Sequence, residues 1–160
     1  MEGHLEVIHY LLESGSDIRL QTNKGMNCAS WAVFNNKANV LKFILPRYPD
    51  LVQQKLFKGR QLLHLAAGKG QLASAITILK NGGNKYINEE DVVGNTALGL
   101  ASSNGRLSMV KLLVQSGADI NHVGWHQKTA MELAQWKGHS DVVNVLKQFK
   151  QRAGFLPIIQ

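Results

Sequence analysis

The stretch GRLSMVKLLVQSGADIN, residues 105–121, is a near-copy of GHLEVIHYLLESGSDIR, residues 3–19. Each opens on a glycine and places a second glycine 12 residues on, around an aliphatic run at helical spacing. The repetition is a register running through the whole chain. Thr96–Ala101 aligns with Thr129–Ala134 33 residues later, with Gln61–Ala66 35 residues earlier, and with Asn27–Ala32 a further 34 back. The opening glycine recurs at Gly3, Gly70, Gly105 and Gly138, with Asn36 in the equivalent slot of the first full unit. Asparagine is the non-glycine residue that best tolerates left-handed backbone, so this exception supports the register. A period of this length marks stacked supersecondary units, each too small to bury its own apolar faces.

Each unit reads as a short helix, a tight turn, a second helix and an extended connection. The first helix is expected to span about nine residues, with small inner residues (Ala66, Ala67, Ala101, Ala134) that let neighbouring units approach closely. The glycine after it suits a helix terminus needing positive φ. The second helix places Leu107, Val110, Leu113 and Val114 on one face and ends near Gly15, Gly82 or Gly117. Pro46–Asp50 and Gly82–Tyr86 read as insertions at the edge of the array. In the last unit Lys150 occupies the glycine slot, and polar Asn144, Lys147, Gln148 and Gln151 suit a terminal cap. The apolar segment Phe155–Ile159 is expected to dock on neighbouring surface or to open a further domain.

These segments resemble the ankyrin-repeat family, whose repeat of about 33 residues reads D-x-x-G-x-T-P-L-H-x-A-A-x-x-G-H-L-x-x-V-x-x-L-L-x-x-G-A-D-x-N. Residues 3–18 and 105–121 follow its second half, and Gly94-Asn95-Thr96 follows its Gly-x-Thr start. The histidine of T-P-L-H survives at His64, while Cys28, Leu62, Ala97 and Ala130 stand in the proline slot. The resemblance implies an all-α solenoid of helix-turn-helix units with short hairpin-like connections. It divides the chain into a partial repeat over 1–21, repeats over about 22–54, 55–90, 91–123 and 124–150, and a tail over 151–160. Because Met1-Glu2-Gly3 falls inside a repeat, the chain is expected to be a fragment of a longer protein or to carry a truncated first cap.

Composition narrows the chemistry. A single cysteine, Cys28, leaves no internal disulfide and no zinc site built on two thiolates. A reducing compartment follows, cytoplasmic or nuclear, or the host cytosol for a bacterial effector. The apolar run VLKFIL is broken by Lys42 and stopped by Pro46, far short of the roughly 18 residues of a membrane span. Glu2 and Glu6 stand where a secretory signal would carry bases, so none is expected. The net charge of +7 is uneven: residues 1–23 carry −3, residues 24–60 carry +6 and residues 128–160 carry +3. A basic middle favours an anionic partner, or simply keeps the protein in solution.

No convergent reactive set suggests an enzyme, and no cofactor or metal is expected. His122 and His126 lie four apart in an extended connection, where that spacing does not align them. Cys28, at the start of a first helix, could carry an activated thiol, but it reads as packing. Gly68-Lys69-Gly70 and Gly82-Gly83-Asn84-Lys85 lack phosphate-loop spacing. By resemblance, His64 bonds backbone between repeats, and Asn121 is an asparagine of the kind hydroxylated in some eukaryotic arrays, ordinarily a brace for the turn.

The resemblance also assigns a partner-binding concave face made of hairpin tips and first-helix ends. It comprises Asn23, Lys24, Met26, Phe34 and Asn35; then Phe57, Lys58, Arg60 and Lys69. The third unit adds Val92, Val93, Asn95, Ser103 and Asn104, and the fourth Trp125, His126, Lys128, Trp136 and Lys137. Its six bases, four large aromatics and lack of acids have the composition of an interface hot spot. The leading expectation is a monomeric protein-interaction module that grips an acidic, partly apolar segment of another protein. The alternatives are a targeting module of a larger enzyme or effector, and binding of an anionic ligand or nucleic acid in the same groove. In a competing arrangement the tryptophans lie under Phe155 or Ile158. A methyl-lysine cage at Trp125 and Trp136 is opposed by the nearby Lys128 and Lys137.

Overall fold

The computed structural model describes residues 6, 10 and 12–154. Within them eight helices form four pairs: α1 (Cys28–Phe34) with α2 (Ala38–Ile44), α3 (Leu62–Lys69) with α4 (Leu72–Lys80), α5 (Ala97–Ser103) with α6 (Leu107–Gln115), and α7 (Ala130–Trp136) with α8 (Ser140–Gly154). The described residues contain no strand. The first helices stack in one row, α1 on α3 on α5 on α7, and the second helices in another, α2 on α4 on α6 on α8. This is the all-α solenoid read from the sequence.

Local chemistry sets the helix ends. A polar residue caps the start of each first helix. The Asn27 side chain accepts from Ser30 N–H at 2.7 Å, and the Thr96 hydroxyl accepts from Gly99 N–H at 3.1 Å. Thr129 and Glu132 bond reciprocally, with Thr129 N–H donating to the Glu132 carboxylate at 2.7 Å. Cys28, Leu62, Ala97 and Ala130 are therefore first helical residues, where proline is favoured but no hydrogen bond requires it. At the other end Gly70, Gly105 and Gly138 have positive φ, and Asn36 follows them at φ 56°. Between these two signals α1, α5 and α7 fit seven residues and α3 eight, fewer than the nine expected. Gly105 is doubly required: its φ is 63°, and a Cβ there would come within 2.6 Å of the His139 ring.

The core lies between the rows. Ala29, Ala32, Ala66, Ala67, Ala101 and Ala134 are fully buried where the first helices meet, and Leu41, Ile44, Ile78, Leu113 and Leu146 fill the second row. Burying each large aliphatic side chain contributes roughly 2 kcal/mol. His64 joins the repeats through polar bonds. Its Nδ1 accepts from Gln61 N–H at 3.2 Å, and its Nε2–H donates to the carbonyls of Glu89 (3.0 Å) and Asn95 (3.1 Å).

Both insertions form single 3₁₀ turns, Pro49–Val52 and Gly83–Tyr86. Pro46, Arg47 and Pro49 are exposed, whereas Gly83 is buried, and a Cβ there would meet Ile78 at 2.8 Å. The final helix departs from the expected register: α8 continues past Lys150 to Gly154, since without a glycine at 150 nothing ends it there. Asn144, Lys147, Gln148 and Gln151 are exposed on it. The segment Phe155–Ile159 lies outside the described residues.

Candidate functional site: the concave flank

The connections end in four hairpin-like tips of two kinds. In the first and third, Thr22 N–H donates to the Met26 carbonyl (2.8 Å) and Asp91 N–H to that of Asn95 (2.9 Å), with Gly25 and Gly94 at positive φ. In the second, Leu56 N–H donates to the Arg60 carbonyl at 2.7 Å around Lys58 (φ 58°) and Gly59 (φ 68°). The fourth closes from Gly124 N–H to the Lys128 carbonyl at 3.1 Å around His126 and Gln127, both at φ 55°. Two consecutive positive φ values define type I′ turns, which favour Asn and Gly. Backbone rungs join the later tips: Val92 N–H to the Lys58 carbonyl at 3.0 Å, and Trp125 N–H to that of Gly94 at 2.9 Å.

Behind the tips lies a groove of about 680 Å³ reaching from Phe34 and Arg60 past Leu65, Lys69, Leu100 and Asn104 to Trp125 and Lys137. A second hollow of about 490 Å³, bounded by Lys24, Met26 and Phe57, shares Phe34, Arg60 and Leu65 with it. Phe34, Phe57 and Trp136 are 54%, 63% and 54% exposed. Trp125 is half-buried, its ring centre 4.2 Å from that of His126 and 5.8 Å from that of Trp136. Three lysines rest on these rings. Lys69 Nζ lies 3.8 Å from the Phe34 ring centre, Lys137 Nζ 4.5 Å from Trp136, and Lys58 Nζ 5.5 Å from Phe57. Val92 and Lys24 are exposed, Met26 and Lys128 are half-buried, and the exposed Asn104 donates its amide to the Gly68 carbonyl at 3.2 Å.

Two residues assigned to this face line the groove and are also tied into the fold. Asn95 is buried, and its amide lies 3.1 Å from each carboxylate oxygen of Asp91. Arg60 Nε donates to Asp91 Oδ2 at 3.1 Å, and the Asp91 side chain is wholly buried. An acid thus lies directly beneath the basic face, and Arg60 is bound to it. Burial alone would raise the Asp91 carboxyl; hydrogen bonds from the backbone and amide of Asn95 and from Arg60 outweigh that and hold it below the usual carboxylate range. Sequence reading missed this because a buried acid and an exposed one look alike along the chain.

The other polar candidates are equally placed. Burial pushes the Cys28 thiol up, opposite to activation. His122 Nε2 pairs with Glu90 at 2.6 Å while His126 stacks on Trp125, so the two histidines face different partners. Asn121 is exposed, and its N–H donates to Asp119 Oδ1 at 2.9 Å. The bracing role falls to Asn88, one unit earlier, which accepts from Asp119 N–H at 2.9 Å. Leu65 and Leu100 also line the groove, although nothing in the repeat pattern marks them as exposed to it. They share a repeat slot with Trp31, which is 51% exposed beside Leu20 and Met26 in a hollow at the start of the described stack.

Two stacked helix rows edged by hairpin tips define a class, and comparison agrees with it. An ankyrin-repeats family model matches residues 1–91 and 63–153. The chain belongs to the ankyrin-repeat family. It is 31% identical over 150 residues to a leucine-rich repeat serine/threonine-protein kinase 1 of Caenorhabditis elegans, covering 92% of this chain and 6% of the relative. It is 30% identical over 121 residues to NF-kappa-B inhibitor alpha of Sus scrofa, covering 73% and 38%. It is 28% identical over 144 residues to a putative ankyrin repeat protein, YahD, of Escherichia coli, covering 87% and 71%. The chain thus spans only a small part of the kinase and well under half of the inhibitor. Ankyrin repeats are in general non-catalytic protein-interaction modules, some of them parts of larger enzymes. No helix among the described residues is long and apolar enough to cross a membrane.

Proposed function

We propose that this array binds an acidic, partly apolar segment of a partner protein along its concave flank. The observation that carries this reading is the set of three lysines resting on Phe34, Phe57 and Trp136. A lysine held over a ring keeps its charge and its hydrogen-bond donors for an incoming carboxylate. The half-exposed rings beside it supply the apolar area of a hot spot, where one aromatic anchor contributes about 2 kcal/mol or more. Lysines at the rim mainly accelerate association.

The test is recovery of interacting proteins by wild type against two double variants, Trp125→Ala/Trp136→Ala and Lys58→Glu/Lys69→Glu. Arg60 is left intact because it holds Asp91. The expected result is loss of the same partners in both variants, with helical content and melting temperature preserved. Retention of every partner by both folded variants moves binding to another surface. A steep salt slope with single-stranded nucleic acid, comparable in both affinity and salt dependence to the best protein partner, would favour a nucleic-acid groove instead.

The small share of the kinase that this chain matches favours a second reading, a targeting module within a larger enzyme. There the same groove would deliver a separate catalytic part to its substrate.

A further inference from the structure

The fourth tip breaks the pattern of the other three. At the slot where Gly25, Gly59 and Gly94 take positive φ, it carries Gln127 at φ 55°, directly after His126 at φ 55°. The tip is tied to the one before it. Gly124 lies so close to the Gly94 carbonyl that it admits no Cβ, and Trp125 N–H bonds that same carbonyl. Nothing in that packing selects glutamine over glycine, and glycine would adopt the conformation without strain. The Gln127 side chain is exposed, and among the described residues its amide faces solvent and meets no hydrogen-bond partner. Strain kept at an exposed position points to a contact made outside the chain.

The surroundings indicate what that contact is. His126 and Trp136 meet edge to face at 5.5 Å, and Trp125 closes the platform. Lys137 rests on Trp136, so that face of the platform repels a cation and welcomes a carboxylate. The one acid on α7 at this end, Glu132, is committed to Thr129, whose backbone N–H and hydroxyl hold its carboxyl below the usual range. A glutamine amide carries a donor and an acceptor side by side, the complement of a peptide unit whose own N–H and C=O are free. Helical peptides have those groups satisfied internally, and extended ones do not.

We propose that Gln127, with the Trp125–His126–Trp136 platform and Lys137, is the specificity-determining subsite of the groove. It reads an extended partner segment in which an acidic residue adjoins an aromatic residue or proline. This rests on the protein-binding reading above and names the partner's conformation and local chemistry at one end of the groove.

The test selects a phage-displayed random dodecapeptide library on wild-type protein, then measures one enriched peptide by fluorescence anisotropy. Enriched peptides should place Asp or Glu beside an aromatic residue or proline. Gln127→Ala and Gln127→Gly should each weaken the peptide about fivefold to tenfold, as expected for one lost pair of interface hydrogen bonds. Gln127→Gly should at the same time melt about 2 °C or more above Gln127→Ala, because it alone relieves the backbone. A helically stapled form of the peptide should fail to bind.

Wild-type affinity in both Gln127 variants, equal binding by the stapled helix, equal melting of the two variants, or no enrichment each overturns the proposal. If Trp125→Ala/Trp136→Ala abolishes binding while the Gln127 variants do not, the groove reading stands and this one falls. If none of the variants affects the peptide, both fall.

Discussion

The connections and the concave flank use the same charges in opposite ways. In the connections, basic side chains meet carboxylates one repeat away: Arg19 pairs with Asp50 at 2.6 Å and Lys55 with Glu89 at 2.9 Å, and the His122 ring hydrogen-bonds Glu90 at 2.6 Å. On the flank Lys58, Lys69 and Lys137 lie on aromatic rings. Arg60 belongs to the flank by position and to the connections by chemistry, because the acid it meets is buried. The difference separates charge that bridges successive repeats from charge that lies on a ring and meets no carboxylate among the described residues.

The largest effect should come from removing the one acid beneath the flank. Asp91→Ala leaves the Asn95 amide and the Arg60 guanidinium without their acceptor, and should destabilise the protein by about 3 kcal/mol in urea unfolding. A loss too small to measure would place Arg60 with the free lysines and dissolve the distinction.

Next is His64, in the same inter-repeat network. Burial depresses its folded pKa, partly opposed by its bonds to Asn95 and Glu89 and by the charge of Asp91. As pH falls below about 6.5, the unfolded chain therefore takes up a proton that the folded chain resists, and stability declines. Wild type should lose stability between pH 7 and pH 5 in urea titrations, and His64→Gln, less stable at pH 7, should lose less over that interval. Asp91 adds a separate loss at lower pH: its depressed carboxyl contributes stability above about pH 4 that disappears as it is protonated.

Lys69→Glu/Lys137→Glu should change unfolding free energy by less than about 0.5 kcal/mol, as for ordinary surface positions. It should nevertheless slow association with an acidic partner in stopped flow, most at low salt. The smallest effect belongs to Lys55→Ala. The pair with Glu89 is about half exposed on both sides, and its loss should be unresolved in the same unfolding assay. A clear destabilisation there would mean that surface pairs hold the repeats in register more than their exposure suggests.

Much of the array was legible along the chain because each signal was local and repeated. The glycine spacing marks the turns, and Asn36 in a glycine slot is left-handed at φ 56°, since backbone sterics act on one residue at a time. The first helices are shorter than the sequence pattern suggests because capping residues such as Thr96 and Thr129 stand outside them. The tip glycine slot shows where such reading stops. Gln127 gives no local sign of positive φ, yet the tip that packs Gly124 against the Gly94 carbonyl holds it at 55°.

The sequence by itself determined the period, the paired helices and which slots face the neighbouring unit, because those follow from hydrophobic spacing and backbone stereochemistry within about one repeat. Tertiary structure alone decided which polar residues of the flank are free. Asp91, Asn95 and Arg60 come from two repeats and meet only after stacking, and a charge is committed or available according to what lies across that junction.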